Sequence, residues 1–223
     1  MANSTVTLSG AGRPFVSNSR DSVRMFERDW MEAMSKVHWS APLIVFAPLI
    51  LGFVVLAVSL DGLGALSAVV WFALGLIVWT PIEYVLHRWV FHFLPSSSWG
   101  QRLHFIFHGV HHDYPNDARR LVMPPSVSLP IAAMFYGLFW LLLPRSDLDA
   151  FFAGFLAGYL IYDMMHYAVH HATFRAAWLK ALKRHHMQHH FVDATHGYGV
   201  SSPLWDVILG SLRRNRTDKA TQN

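Results

Sequence analysis

Ten histidines in four short clusters are the residues of this chain best suited to do chemistry. Two clusters share one pattern, His108-Gly-Val-His111-His112 and His186-Met-Gln-His189-His190. On a helix, positions i, i+3 and i+4 lie on one face, so each triplet aims three imidazoles the same way. His166 and His170 form an i, i+4 pair, and His87 and His92 stand five apart. Five residues carry an α-helix about 140° past a full turn. A helix must therefore end or distort between His87 and His92 if both rings face one site. A lone histidine is more often a hydrogen-bonding structural residue than a ligand. Ten gathered together repel one another when protonated and need many polar partners when neutral. A metal removes that conflict by taking their lone pairs.

Imidazole suits zinc, iron, copper and nickel alike. A closed structural zinc site needs only four ligands, so ten are too many for one ion. Two ions with about five nitrogen ligands each, leaving an open position, satisfy the count. Few carboxylates stand near the clusters: Asp113, Asp117, Asp163 and Asp193. This differs from the Glu-x-x-His sites of soluble di-iron bundles. The chain contains no cysteine, which excludes thiolate ligands and disulfides.

The elements that position these residues are apolar. Hydrophobic residues make up 53% of the 223, and charged residues only 14%, against roughly 25% in soluble chains. Four runs are long enough to cross a bilayer, at about 41–60, 65–82, 127–143 and 148–165. Asp61-Gly-Leu-Gly64 and Pro144-Arg145-Ser146-Asp147 turn them into two hairpins. The expected fold is therefore all-α and integral to the membrane. Its two hairpins carry a helical cap, 83–125 and 166–212, that holds a histidine-rich dinuclear metal site. The domain runs from 41 to 223, preceded by an N-terminal segment, 1–40. In that segment residues 1–18 read as disordered. Residues 20–37 place Val23, Phe26, Trp30, Met34 and Val37 opposite Arg24, Arg28 and Glu32. That spacing predicts a helix on the membrane surface or on the protein's own soluble face.

Seventeen of the eighteen Lys and Arg residues flank the spans on one side, and only Arg145 lies on the other. The bias predicts cytoplasmic termini and a cytoplasmic long loop. All four histidine clusters fall on that same side. The net charge of +4 then suits an anionic membrane surface, and four spans exclude a soluble nucleic-acid binder. A metal transporter would want ionisable residues at the midplane of several spans, and the first three spans have none.

The order HRWVFH, HGVHH, HYAVHH, HMQHH resembles the fatty acid hydroxylase/sterol desaturase superfamily of membrane di-iron enzymes. Three longer stretches narrow the likeness: HFIFHGVHHDYPNDARRLVMPP (104–125), GYLIYDMMHYAVHH (158–171) and LKRHHMQHHFVDATHGYGVSSPLWD (182–206). They are similar to the fatty acid 2-hydroxylase branch, over about residues 80–210. The resemblance implies an O2-dependent monooxygenase that places a hydroxyl on C2 of a long acyl chain, as free acid or ceramide amide. It implies two iron ions, which zinc can replace in a purified sample, held by His87, His92, His108, His111, His112, His166, His170, His186, His189 and His190. Sister chemistries, namely desaturation, sterol methyl oxidation and carotenoid hydroxylation, stay open on the histidines alone.

Many eukaryotic members carry a cytochrome b5 domain. Residues 1–40 contain only His38 and are too short for one, so the expectation is no haem here and a separate cytochrome b5-like or ferredoxin-type donor. The same likeness places the membrane as the inner membrane of a bacterium or the endoplasmic reticulum of a eukaryote. Asp163 shares a helical face with His166 and is expected to orient an imidazole or to cap span four. Tyr162 and Tyr198 are expected near the ligand shell or substrate head group. His104, His171, His185 and His196 are assigned to the surroundings of the ligands or the substrate entrance, and His38 to the interface. Arg119 and Arg120 suit a substrate carboxylate, a lipid phosphate or simple anchoring. Gly197-Tyr198-Gly199 reads as a turn over the site, and Ser201–Leu212 as an interfacial helix.

Overall fold

A computed structural model describes residues 16–213; the expected disorder of 1–18 falls almost wholly outside them. Among the described residues the chain is helical, without strands. Its elements are α1 (Asp29–Met34), α2 (Ala41–Ser59), α3 (Ala65–Val85), α4 (Ser98–His104), α5 (Val110–Asp113), α6 (Pro125–Leu142), α7 (Arg145–His171), α8 (Ala177–Phe191) and α9 (Leu204–Ile208). Two π-helical segments, Leu86–Phe91 and Phe105–Gly109, continue α3 and α4. Helices α2, α3, α6 and α7 are long and apolar enough to span a membrane, α3 together with its π segment through Phe91.

Helix α7 is the axis of the bundle. Protein buries 72% of its most apolar stretch, against 11–17% in the other three spans. This shielding explains why the least apolar span can carry Asp149, Tyr159, Tyr162 and Asp163. Its neighbours are drawn in by absent side chains. A Cβ on Gly154 would lie 1.8 Å from the Phe72 carbonyl oxygen, and one on Gly75 1.9 Å from that of Phe151. A Cβ on Gly158 would lie 2.5 Å from the Trp79 side chain. The Gly154-x-x-x-Gly158 stripe thus seats α7 backbone-to-backbone on α3, as small residues do where lipid supplies no hydrophobic drive between helices. Aromatic edges fill the remainder, with Trp79 against Phe155 at 5.2 Å and Phe46 against Tyr159 at 4.8 Å between ring centroids. The pairing brings the C-terminal ends of α3 and α7, and hence His87 and His166, to one end of the bundle.

The helix expected over 20–37 is only α1, Asp29–Met34. Glu32 is the reason. Instead of facing solvent it is buried, accepting from the Met25 and Phe26 amides and pairing with Arg120 at 2.5 Å. The residues before α1 therefore form a strap. Ser22 donates to Asp117 at 2.7 Å, the Ser17 amide to the Asp113 carbonyl at 2.8 Å, and Arg120 to the Val23 carbonyl at 2.6 Å. Arg120 is a structural clamp and is not free for lipid phosphate or a substrate carboxylate. Removing one member of a buried ion pair costs about 3–5 kcal/mol. Arg120→Ala is therefore expected to release the strap, seen as faster tryptic cleavage at Arg20, Arg24 and Arg28. A digestion rate equal to wild type would show that the clamp is dispensable.

Ser201–Leu212 is likewise not one helix. Only Leu204–Ile208 is helical, because Asp206 turns inward, fully buried, to bond the preceding loop.

Candidate metal centre

The five-residue spacing of His87 and His92 is met by the π-helix between them. The His92 amide donates to the His87 carbonyl at 3.2 Å, an i, i+5 bond that brings the rings to one side where an α-helix would splay them. The centroids of these two rings are 5.0 Å apart.

The structure sorts all ten histidines into two groups of five. One is His87, His92, His108, His112 and His189; the other is His111, His166, His170, His186 and His190. Within each, one ring nitrogen per residue lies within 4.8 Å of all the others. Each triplet is split between the groups. His108 and His112, an i, i+4 pair, join the first while His111 faces the second. His186 and His190 join the second while His189 faces the first. The α3 end completes one group and α7 the other.

These nitrogens are placed for a cation. Nε2 of His108 stands 3.2 Å from that of His87, 3.1 Å from His92 and 2.9 Å from His112. One imidazole nitrogen carries one lone pair or one proton, so it cannot bond three others at once. With metal–nitrogen distances of about 2.0–2.1 Å, adjacent ligands on one ion lie about 3 Å apart. In the second group His111 to His190, His166 to His111, His170 to His186 and His190 to His186 measure 3.0, 2.9, 2.9 and 3.1 Å. The donor set fits metal.

Electrostatics favour the neutral, ligating form. Burial, reinforced by neighbouring imidazoles, holds His108, His111, His112, His186 and His190 well below the ordinary histidine range. Burial lowers His92 to about 2 and His189 to about 4. The sign follows from which state binds protons first. Unfolded histidine titrates near 6.5, so between about pH 6.5 and pH 4 the unfolded chain takes up a proton at position 189 that the folded protein refuses. The stability this lowered pKa sustains above 6.5 is lost as pH falls, and bound metal is lost with it. Metal content measured after equilibration down a pH series should collapse in that window. Full metal content retained at pH 4.5 would contradict it.

Two ring orientations are fixed from behind by one loop. Nδ1 of His87 bonds the Tyr198 carbonyl at 2.5 Å, and Nδ1 of His189 bonds the His196 carbonyl at 2.8 Å. The turn at Gly197 to Gly199 does lie over the site; Gly197 needs its positive φ of 77°. The Tyr198 ring sits 5.3–5.8 Å from those of His92, His189 and His87. Tyr162 stacks on His166 at 5.8 Å. Asp163 neither orients an imidazole nor caps a helix end. It lies within α7, accepting from the Met123 amide and the Tyr159 hydroxyl, each at 3.3 Å. His185 bonds Asp206 and His196 bonds Asp193, which places both beside the ligands. The two acids that matter most here, Glu83 and Asp206, escaped the sequence reading. Glu83 had one signal, as an acid at the end of an apolar span four residues before His87.

One cavity reaches the site and a second lies next to it. The first, of about 240 Å³, touches His108, His111 and His166 and is also lined by Met25 and Phe26 of the strap and Trp30 of α1. The other, about 290 Å³ and almost wholly apolar, runs between α3, α6 and α7 past Trp79, Ile131, Phe135 and Phe155. Phe91, Met123 and Tyr162 line both.

Four apolar helices long enough to span a membrane, with two largely buried five-histidine groups at one end, define a multi-pass membrane protein with a candidate metal centre beside an apolar cavity. Residues 72–211 match the fatty acid hydroxylase family. The chain belongs to that family and is an oxidoreductase. It is 33% identical over 204 residues to the dihydroceramide fatty acyl 2-hydroxylase FAH1 of Arabidopsis thaliana, covering 92% of this chain and 86% of that protein. It is 38% identical to the ceramide very long chain fatty acid hydroxylase SCS7 of Saccharomyces cerevisiae over 82% of this chain, which spans about half (48%) of the yeast protein. A solved structure of full-length scs7p, with only its hydroxylase domain visible, superposes with a TM-score of 0.79 at 36% identity, covering 83% of this chain and 70% of that one.

Proposed function

We propose that this chain hydroxylates C2 of a long fatty acyl chain, as the free acid or as the N-acyl chain of ceramide or dihydroceramide, using O2 and external electrons. The observation that carries this reading is the apolar cavity that shares Phe91, Met123 and Tyr162 with the cavity against the histidines. An acyl tail in the apolar cavity between α3, α6 and α7 brings the carbons next to its carbonyl past Phe91, Met123 and Tyr162, to the faces of His108, His111 and His166. Similarity to two enzymes named as hydroxylases of ceramide acyl chains favours hydroxylation over the sister chemistries, and the name of the Arabidopsis relative, a 2-hydroxylase, favours C2.

In this reading the two five-histidine groups hold two iron ions, which supply O2 activation and oxidation of the C–H bond; zinc filling the same nitrogens gives an inert protein. The chain's own residues do the rest. Phe91, Met123 and the walls of the apolar cavity exclude water and hold the chain straight. Tyr162 packs on His166, lines both cavities and limits how far the acyl chain advances. Neutral imidazoles, kept so by burial, stay available as ligands. Electrons arrive from a partner of the cytochrome b5 or ferredoxin type. The Lys and Arg bias favours cytoplasmic termini and a cytoplasmic metal centre, and the family resemblance favours a bacterial inner membrane or the endoplasmic reticulum.

The test is lipid mass spectrometry of cells expressing the chain with a matched electron donor. One added oxygen on acyl chains, located at C2, is the expected result. Loss of two hydrogens, or an oxygen placed on a sterol, would reassign the enzyme to a sister chemistry.

A further inference from the structure

The loop that backs His87 and His189 is itself held in an unusual way. Four successive amides, Tyr198, Gly199, Val200 and Ser201, all donate to carboxylates. Tyr198 and Gly199 reach the two oxygens of Asp206 at 2.9 and 2.8 Å. Val200 and Ser201 both reach Glu83 Oε1 at 2.8 Å, and the Ser201 hydroxyl bonds the other Glu83 oxygen. Both acids are buried, Glu83 at 4% exposure and Asp206 at 0%. Asp206 is tied further to His185 at 3.1 Å and to Ser211 at 2.8 Å. No side chain fits at Gly199, where a Cβ would lie 2.0 Å from the Ser202 carbonyl oxygen. Every bond in this set fixes the loop whose carbonyls hold Nδ1 of His87 and His189.

Both of those ligands belong to the same five-histidine group. The other group is backed less: His170 on α7 bonds the Pro115 backbone, but its two α8 ligands have no such support. Nδ1 of His186 and Nδ1 of His190 are buried, with no hydrogen-bond partner among the described residues. A ligating imidazole whose far nitrogen donates to a fixed carbonyl is locked in tautomer and orientation and is the stronger base.

Resting on the reading of the two groups as metal sites, we propose that Glu83 and Asp206 are positioning residues for the His87–His92–His108–His112–His189 group alone. That group then holds its ion more tightly than the His111–His166–His170–His186–His190 group. The two ions are unequal, and the second exchanges first.

The purified full chain, loaded with iron and challenged with a chelator, tests this by metal content over time. Wild type should lose metal in two phases of one ion each. In Glu83→Gln/Asp206→Asn the slow phase should speed up by about 10–100-fold, the usual cost of removing such supporting bonds. Its fast phase should be unchanged, which also certifies that the variant is folded. Should the double variant not fold, Ser201→Ala removes one hydroxyl bond to Glu83 and no ligand. Its slow phase should quicken by about threefold, the worth of one modest hydrogen bond. A single wild-type phase, equal acceleration of both phases, or an unmoved slow phase in the folded variant would each overturn the proposal. Failure to bind any metal would instead overturn the metal reading on which it rests.

Discussion

The His186→Ala/His189→Ala variant is expected to lose both its metal and its acyl product. His186 belongs to one five-nitrogen group and His189 to the other, so the pair takes one ligand from each site at once. Both side chains are fully enclosed, and alanine leaves space rather than a substitute donor. Loss of bonds behind a ligand already costs about 10–100-fold in metal affinity or activity, so loss of two ligands should exceed ~100-fold. Metal per chain by mass spectrometry, read beside product formation, checks it. His38→Ala provides the comparison: His38 bonds Ser40 at 2.8 Å outside both groups, and that variant should keep its metal. Wild-type metal content in the double variant would remove these histidines from the ligand set.

The second large effect is expected far from any histidine. Gly154→Leu should prevent the bundle from closing. Even the first carbon of the new side chain falls 1.8 Å from a backbone oxygen of α3, and backbone cannot swing aside as a side chain tip can. Overpacking by a few methylenes costs about 1–3 kcal/mol in a core that can adjust, and here neither helix can yield without parting. Because α3 runs on to His87 and α7 carries His166, parting them also pulls the two histidine groups out of register. Gly137→Leu on α6 is the matched control, since nothing lies within 4 Å of its Cβ position. Size-exclusion profiles in detergent after a heating series should show early aggregation for the first and a wild-type profile for the second. A wild-type melting profile for Gly154→Leu would mean that α3 and α7 do not meet in this way.

What the sequence made legible follows from how local each signal is. The four spans announce themselves as apolar runs because lipid demands them residue by residue. The break between His87 and His92 could be expected from spacing alone, and the π-helix supplies it. The chain did not announce that its least apolar span would be the central one. That depends on Gly154 and Gly158 meeting Phe72 and Trp79, some 80 residues away in sequence. Nor does a triplet such as His186-x-x-His189-His190 say that its middle member faces a different group, since all three share a helix face and only tertiary packing divides them. Glu32 reads as a solvent-side acid until Arg120 arrives from 88 residues away. Asp206 reads as part of an amphipathic stretch until its loop closes over His87. What was missed depends on how the helices and loops pack together, which no local run of residues encodes.

The most direct measurement supplies a fatty acid carrying two deuteriums at C2 to cells expressing the chain and reads the acyl products by mass spectrometry. Hydroxylation at C2 should give a product that has gained one oxygen and lost one deuterium, absent from the His186→Ala/His189→Ala control. A product that gains oxygen yet keeps both deuteriums would place the reaction elsewhere on the chain and contradict the assignment.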